Sequence, residues 1–251
     1  LAKVTDVGNI PTRPIGLPGT NGTGIRNFDA ALDNILRVRE MLESSTGRGV
    51  VPVVLGGDHS LSIGTLSAAI AHDATIGVLW IDAHADLNTP DTSPSMNLHG
   101  MSLAAVMRLP YGGADETTGS QWARLLNEVV PEQALDPRRV VWIGLRDLDD
   151  AERQRLVQGD VRRAVTMYEV DHFGLEGMME HAAGFLERAG VERLWVSLDV
   201  DVLDPLIAPG TGTGVRGGFN YREMHLLAEF LYELVGRETS PFDMAGVDVV
   251  E

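Results

Sequence analysis

The sequence predicts an α/β fold, a three-layer α/β/α arrangement around a mainly parallel central sheet. Short apolar runs such as Ile76-Gly77-Val78-Leu79-Trp80-Ile81 and Val140-Val141-Trp142-Ile143-Gly144-Leu145 are apolar throughout, as in strands covered on both faces. Segments with helical spacing separate those runs. Acidic and histidine residues cluster just after them, where parallel sheets place their ligands.

Taken in order, residues 1–26 are rich in Gly, Pro, Thr and Asn and are expected to form a loop or surface segment. Apolar residues at Leu32, Ile35, Leu36, Val38 and Met41 predict a helix from Phe28 to Leu42. Val50 to Leu55 is a β-branched run stopped by Gly56-Gly57, although Pro52 lacks the amide hydrogen that a central strand uses. Ser60 is a candidate N-cap for a helix to Ala71. Strand 76–81 leads into loop 82–100 and a helix from Ser102 to Arg108. A glycine-rich break (Gly112-Gly113, Gly119) precedes a helix around Gln121 to Val130. Strand Val140–Leu145 is followed by a helix from Asp149 to Val157, a weak strand over Val165 to Tyr168 and a helix from Leu175 to Ala189. The run Leu194–Leu198 ends at Asp199. The Gly/Pro-rich loop 202–220 leads to a helix from Arg222 to Val235 and a last strand, Gly246 to Val250. No repeat, low-complexity segment or linker interrupts the pattern, so residues 1–251 are expected to form one domain.

The 251 residues are 44% hydrophobic, enough for a sizeable core. No apolar run approaches the roughly 20 residues that span a bilayer, and no signal segment is visible, so no membrane partner is expected. The absence of cysteine excludes disulfides and thiolate ligands and fits a cytoplasmic setting. The net charge of −16 argues against nucleic acid. Such a surface serves solubility and can also draw in a cationic substrate.

Asp82-Ala83-His84-Ala85-Asp86 follows the run 76–81. Side chains alternate along extended chain, so Asp82, His84 and Asp86 project to one side. Carboxylates that close repel unless a cation lies between them. Asp199 and Asp201 repeat the arrangement after Leu198, and His59 follows a two-glycine turn. Asp58, His59 and Ser60 are consecutive and cannot converge as a nucleophilic triad, so Asp58 is expected to support. Asp204-Pro205 fits turn chemistry. His72, His172, His181 and His225 lack metal-site spacing. Four Asp and two His without sulfur suit two divalent ions about 3.5–4 Å apart, with manganese favoured and cobalt, nickel or zinc as alternatives. Water between two such ions becomes a nucleophile near neutral pH, so hydrolysis is expected.

The motifs GGDHS (56–60), DAHADLNTP (82–90), SPSMNLHGM (93–101), IGLRDLD (143–149) and SLDVDVLDP (197–205), in this order, resemble the arginase family of ureohydrolases. The resemblance runs from about Gly56 to Glu251. It implies the three-layer fold, a homotrimer or homohexamer, and two manganese ions per subunit. One ion is implied at His59, Asp82, Asp86 and Asp199, and the other at His84, Asp82, Asp199 and Asp201, with Asp82 and Asp199 bridging. Asp86 is also implied to hold the nucleophile, and His99 to pass a proton to the leaving amine. Glu251 is implied to pair with a guanidinium, a planar cation suited to a carboxylate, with Thr213 beside it. Asn88, Ser95 and Asn97 fall on the arginase-type loop that receives an α-carboxylate, and Asp149 on the position that meets an α-amino group.

L-Arginine is therefore the expected small-molecule guanidino substrate, yielding urea and L-ornithine. Met96 stands where arginases usually have Gly. Other ureohydrolase substrates (those of agmatinase, guanidinobutyrase or formimidoylglutamase) are the nearest alternatives. A zinc amide hydrolase of the deacetylase type or a non-catalytic guanidino-binding regulator are the alternatives of other classes. Arg222-Glu223 matches a region used between subunits. The family continues beyond both ends of this sequence, with a further strand and helix before it and a helix after it, so an excerpt is expected.

Overall fold

Strands β1 (Val53–Leu55), β2 (Gly77–Ile81), β3 (Val140–Leu145), β4 (Ala164–Thr166), β5 (Arg193–Asp199) and β6 (Asp243–Val250) form one sheet in the order β1-β6-β5-β2-β3-β4. Every neighbouring pair is parallel. The structure is a computed structural model and describes residues 3–14, 24–45, 49–159 and 163–251. Helices α1 (Phe28–Ser45), α2 (Leu61–His72), α3 (Ser102–Val106), α4 (Glu116–Val129), α5 (Asp150–Gln158), α6 (Met167–Arg188) and α7 (Tyr221–Val235) complete it.

The apolar strands still sort their side chains by period two. Val78, Trp80, Val140, Trp142 and Trp195 join the buried cluster that α1 to α4 cover. Leu79, Ile81, Val141, Ile143 and Val196 join the cluster under α6 and α7. Both faces of the central strands are dry, which is why no polar alternation marks them in the sequence. Truncating Trp142, 1% exposed, to alanine is expected to cost about 3–5 kcal/mol.

From β2 the chain steps outward to β3 and β4, then crosses back to lay β5 on the other side of β2. The order reverses between β2 and β5, and a crevice beyond their carboxyl ends is where such sheets bind ligands. Among the described residues, no helix is long and apolar enough to cross a membrane.

Several boundaries differ from expectation, each for a local reason. The edge strand β1 starts at Val53, after Pro52, and exposes Val53 and Leu55. The Ser60 hydroxyl bonds Asp58 and does not cap α2. Helix α4 begins at Glu116 rather than near Gln121, because the Asp115 carboxylate accepts from Thr118 N at 2.7 Å. Gly119 therefore lies inside that helix, where a Cβ would come within 3.2 Å of the Tyr111 ring. The strand expected to reach Tyr168 stops at Thr166, where the Glu169 carboxylate accepts from Thr166 N at 3.0 Å and starts a helix. Gly174 (φ 77°) kinks α6, so regular spacing is visible only from Leu175. Of the loop expected over residues 1–26, residues 3–14 and 24–26 carry neither helix nor strand, and the rest lies outside the described residues.

Candidate metal centre

Three loops converge beyond the carboxyl ends of β1, β2 and β5. After β1, Gly56 and Gly57 adopt φ of 100° and 74°, a backbone that residues with a Cβ rarely take. Gly56 N donates to Val249 O at 2.9 Å and Glu251 N to Gly57 O at 3.2 Å, which carries the β1–β6 pairing past the strand ends. His59 follows and is buried. After β2 come Asp82, His84 and Asp86. Asp86 holds φ 51°, a left-handed backbone costing about 1–2 kcal/mol, and its carbonyl accepts from Leu103 N and Ala104 N. After β5, the Asp199 carboxylate accepts from Asp201 N at 2.7 Å and turns the chain into a short 3₁₀ helix.

His59 Nδ1 lies 3.0 Å from Asp82 Oδ2, 3.1 Å from Asp199 Oδ2 and 3.4 Å from Asp86 Oδ2. His84 Nδ1 lies 3.1 Å from Asp201 Oδ2 and 3.3 Å from Asp82 Oδ1. Two donor groups result, one of His59, Asp82 and Asp86 and one of Asp82, His84 and Asp201, each with donor atoms within 4.8 Å of one another. Asp82 belongs to both and offers one oxygen to each.

The His59 environment tests whether cations fit. Its Nε2 lies 2.9 Å from Ser197 Oγ, and Ser197 Oγ donates its only proton to Asp248. Nε2 is therefore the donor, and Nδ1 carries the lone pair. That buried Nδ1 has no hydrogen-bond partner, yet three carboxylate oxygens surround it. A lone pair and three anionic oxygens at these distances need a positive charge between them. The donor set of oxygen and imidazole with no sulfur suits a hard or borderline divalent ion.

Protons fill part of that need when no ion does. Burial depresses the His84 pKa, but contact with Asp201 and Asp82 outweighs it and pushes the value to about 11. His59 is raised well above the ordinary histidine value by Asp199 and Asp82 against the same burial. Burial, then the Asp82 charge, pushes Asp86 well up, and burial raises Asp201. Asp82, between two imidazoles, is lowered despite its burial.

The remaining predicted residues fall into two sets. Asn88 Nδ2 donates to Asp149 Oδ2 at 2.8 Å, and Asn88 Oδ1 accepts from Thr92 Oγ1 at 2.9 Å. Ser95 Oγ accepts from Asn97 N at 3.2 Å, in a turn where Met96 holds φ 58°. Thr213 Oγ1 donates to Asp201 Oδ2 at 2.8 Å, and the Glu251 carboxylate accepts from Gly212 N. His99 sits in the 3₁₀ turn Leu98–Met101. Its ring has no hydrogen-bond or ion-pair partner among the described residues, but Ser102 Oγ, 2.9 Å from each, links the carbonyls of His99 and His59. Asp204 serves the expected turn, accepting from Leu206 N and Gly217 N.

Some supporting residues carry no signal in the sequence. Asp248 accepts from Ser197, Thr65, Ser62 and Trp195 Nε1. Trp80 stacks on His59 with centroids 3.9 Å apart, and its Nε1 donates to Asp82 at 3.0 Å. Glu152 accepts from Leu87 N and Asp149 N, both at 3.0 Å, and burial raises its pKa. The spacing Asp149-x-x-Glu152 is the one local hint, a capping pattern.

A family model described as "Arginase family" matches residues 1–251. The arginase of Staphylococcus aureus (strain MRSA252) is 37% identical over 232 residues, which is 92% of this chain and 72% of that protein. The native structure of arginase from Bacillus caldovelox superposes with a TM-score of 0.82 at 34% identity, covering 98% of this chain and 76% of the other. The crystal structure of Bacillus subtilis arginase gives 0.81 at 34% identity, covering 98% and 75%.

Proposed function

Because the chain belongs to the arginase family, we propose that it hydrolyses the guanidinium group of L-arginine to urea and L-ornithine at the cluster around Asp82. The observation that carries this is the double membership of Asp82, one carboxylate serving two donor groups. We propose two manganese ions per subunit. His59, Asp82, Asp86 and Asp199 would hold one, and His84, Asp82, Asp199 and Asp201 the other. When bound, such ions supply a nucleophile by acidifying water near neutral pH.

The rest of the chemistry falls to side chains. The Glu251 carboxylate pairs with the planar guanidinium and fixes its orientation, with Thr213 alongside. Asp86 accepts a hydrogen bond from the attacking water and aims it at the guanidinium carbon. The C–N bond to the departing δ-amine breaks, and His99 delivers a proton to that nitrogen. The far end of the substrate carries an α-carboxylate and an α-amino group. Asn88, Ser95 and Asn97 offer neutral donors to the first, and Asp149 offers an anion to the second. The direct Asn88–Asp149 bond supports this, since it sets a donor and an acceptor side by side as a zwitterion requires.

A single ureohydrolase domain over residues 1–251, a homotrimeric or homohexameric assembly and a cytoplasmic setting complete the proposal, supported by the family resemblance. A substrate panel after manganese loading tests the activity. Urea released from arginine, well above agmatine or guanidinobutyrate, is expected. Turnover of either of those with none of arginine would contradict it.

A further inference from the structure

The Arg146 guanidinium, half-buried after β3, donates to five backbone carbonyls. They are Gly144 O at 3.3 Å, Asp201 O at 2.5 Å, Val202 O at 3.1 Å, Leu203 O at 3.2 Å, and Val215 O at 2.8 and 3.1 Å. No carboxylate lies in ion-pair contact with it among the described residues. Its hydrogen bonds all go to neutral carbonyls, and its charge also acts on Asp201, Asp82, Asp204 and Asp147 nearby. Its main chain grips a second segment: Arg146 N and Asp147 N donate to Ala83 O at 2.9 and 3.1 Å.

These contacts converge on one place. Ala83 lies between Asp82 and His84. Asp201 carries one of the gripped carbonyls, and its own carboxylate accepts from Ala83 N at 3.3 Å. Val215 lies two residues past Thr213, whose hydroxyl donates to Asp201 at 2.8 Å. Room is kept for the fork, because a Cβ on Gly218 would come within 2.6 Å of Arg146 Nη2. None of the contacts reaches His59 or Asp86.

We propose that Arg146 is a positioning residue, whose guanidinium fixes the turn that presents Asp201, and with it the His84–Asp201 side of the cluster, in register for a divalent ion. The inference rests on the two-ion reading of the site. A planar fork reaches several carbonyls at set angles, whereas a lysine ammonium is a point charge on a flexible stem. Loss of the fork frees the turn that presents Asp201 and the loop that carries Thr213.

The test is calorimetric titration with MnCl2 of the chelator-treated full chain, for the parent, Arg146→Gln, Arg146→Lys and His84→Asn. His84→Asn marks the binding event that belongs to its group. In both Arg146 variants that event is expected to weaken by about 10–100-fold, the usual effect of removing an outer-sphere support, and by more than the other event, which shares Asp82 with it. A purely structural role would weaken both events alike, and that result overturns the proposal. So does a parent-like profile in Arg146→Lys, which would make the charge rather than the fork responsible. Arg146→Lys carries the test if Arg146→Gln does not fold. A parent that binds two ions beside unchanged variants overturns this inference alone, whereas a parent that binds one ion overturns the two-ion reading with it.

Discussion

His59 and Ser197, 138 residues apart in sequence, meet at 2.9 Å between Nε2 and Oγ, and that contact decides which imidazole nitrogen faces the carboxylates. Ser197 can only accept there, because its proton goes to Asp248. Ser197→Ala removes the acceptor and lets the ring change tautomer. Manganese affinity is expected to fall by about 10–100-fold with the fold kept. Titration of the metal-free variant checks this, and unchanged affinity would show that the contact does not orient the ring.

His99→Asn tests the proton donor. The ring makes no bond among the described residues, so its loss should leave metal content intact. The rate of urea release is expected to fall by about 10²–10⁴-fold, the usual share of proton transfer. A parent-like rate would remove His99 from the mechanism.

Ion binding should release protons. Without an ion, contact with the carboxylates pushes the His84 pKa up to about 11 and the His59 pKa well above its ordinary value against their burial, so both rings hold a proton more tightly than a free imidazole. An ion needs the neutral imidazole, so manganese affinity should rise with pH across the neutral range. The effect on the metal-free fold has the opposite sign. The stability from these raised pKa values is fully present below about pH 6.5 and is lost as pH rises through the folded values, about 11 for His84. Calorimetry in two buffers of different ionisation heat reads the proton count, and no net release would contradict the assignment.

Met96 holds φ 58° between Ser95 and Asn97, and its side chain packs against the core under α1 to α4. Met96→Ala loses the packing and keeps the strained backbone, whereas Met96→Gly loses the packing and relieves the strain. After the added freedom of the unfolded glycine chain, the Gly variant should be the more stable of the two by about 0.5–1 kcal/mol. Urea unfolding decides, and a more stable Ala variant would mean that this backbone carries no strain.

What could be read from the sequence follows from the range of the forces involved. Strands β2 and β3 announce themselves, because both faces are dry and the run is uniformly apolar. Asp82, His84 and Asp86 stand out as metal-type residues at the end of an apolar strand, but the alternation expected of them does not hold, since β2 ends at Ile81 and Asp86 takes φ 51°. The start of α4 was hidden, since Gly119 imitates a break and the Asp115 cap is a single side-chain bond. Asp248 has no local signature, because only the β5–β6 pairing opposes it to Ser197. Arg146 stands in plain view in IGLRDLD, but its carbonyl acceptors come from β3, the turn after β5 and the loop around Val215. Left-handed backbones at Asp86 and Met96 have no periodic signature at all.

The claim on which the account depends is that Asp82 serves two ions at once. Elemental analysis of manganese-loaded protein, dialysed free of excess metal, measures this directly. Two manganese ions per chain are predicted, falling below two in Asp82→Asn. One ion per chain in the parent protein would contradict the account and point instead to a mononuclear hydrolase.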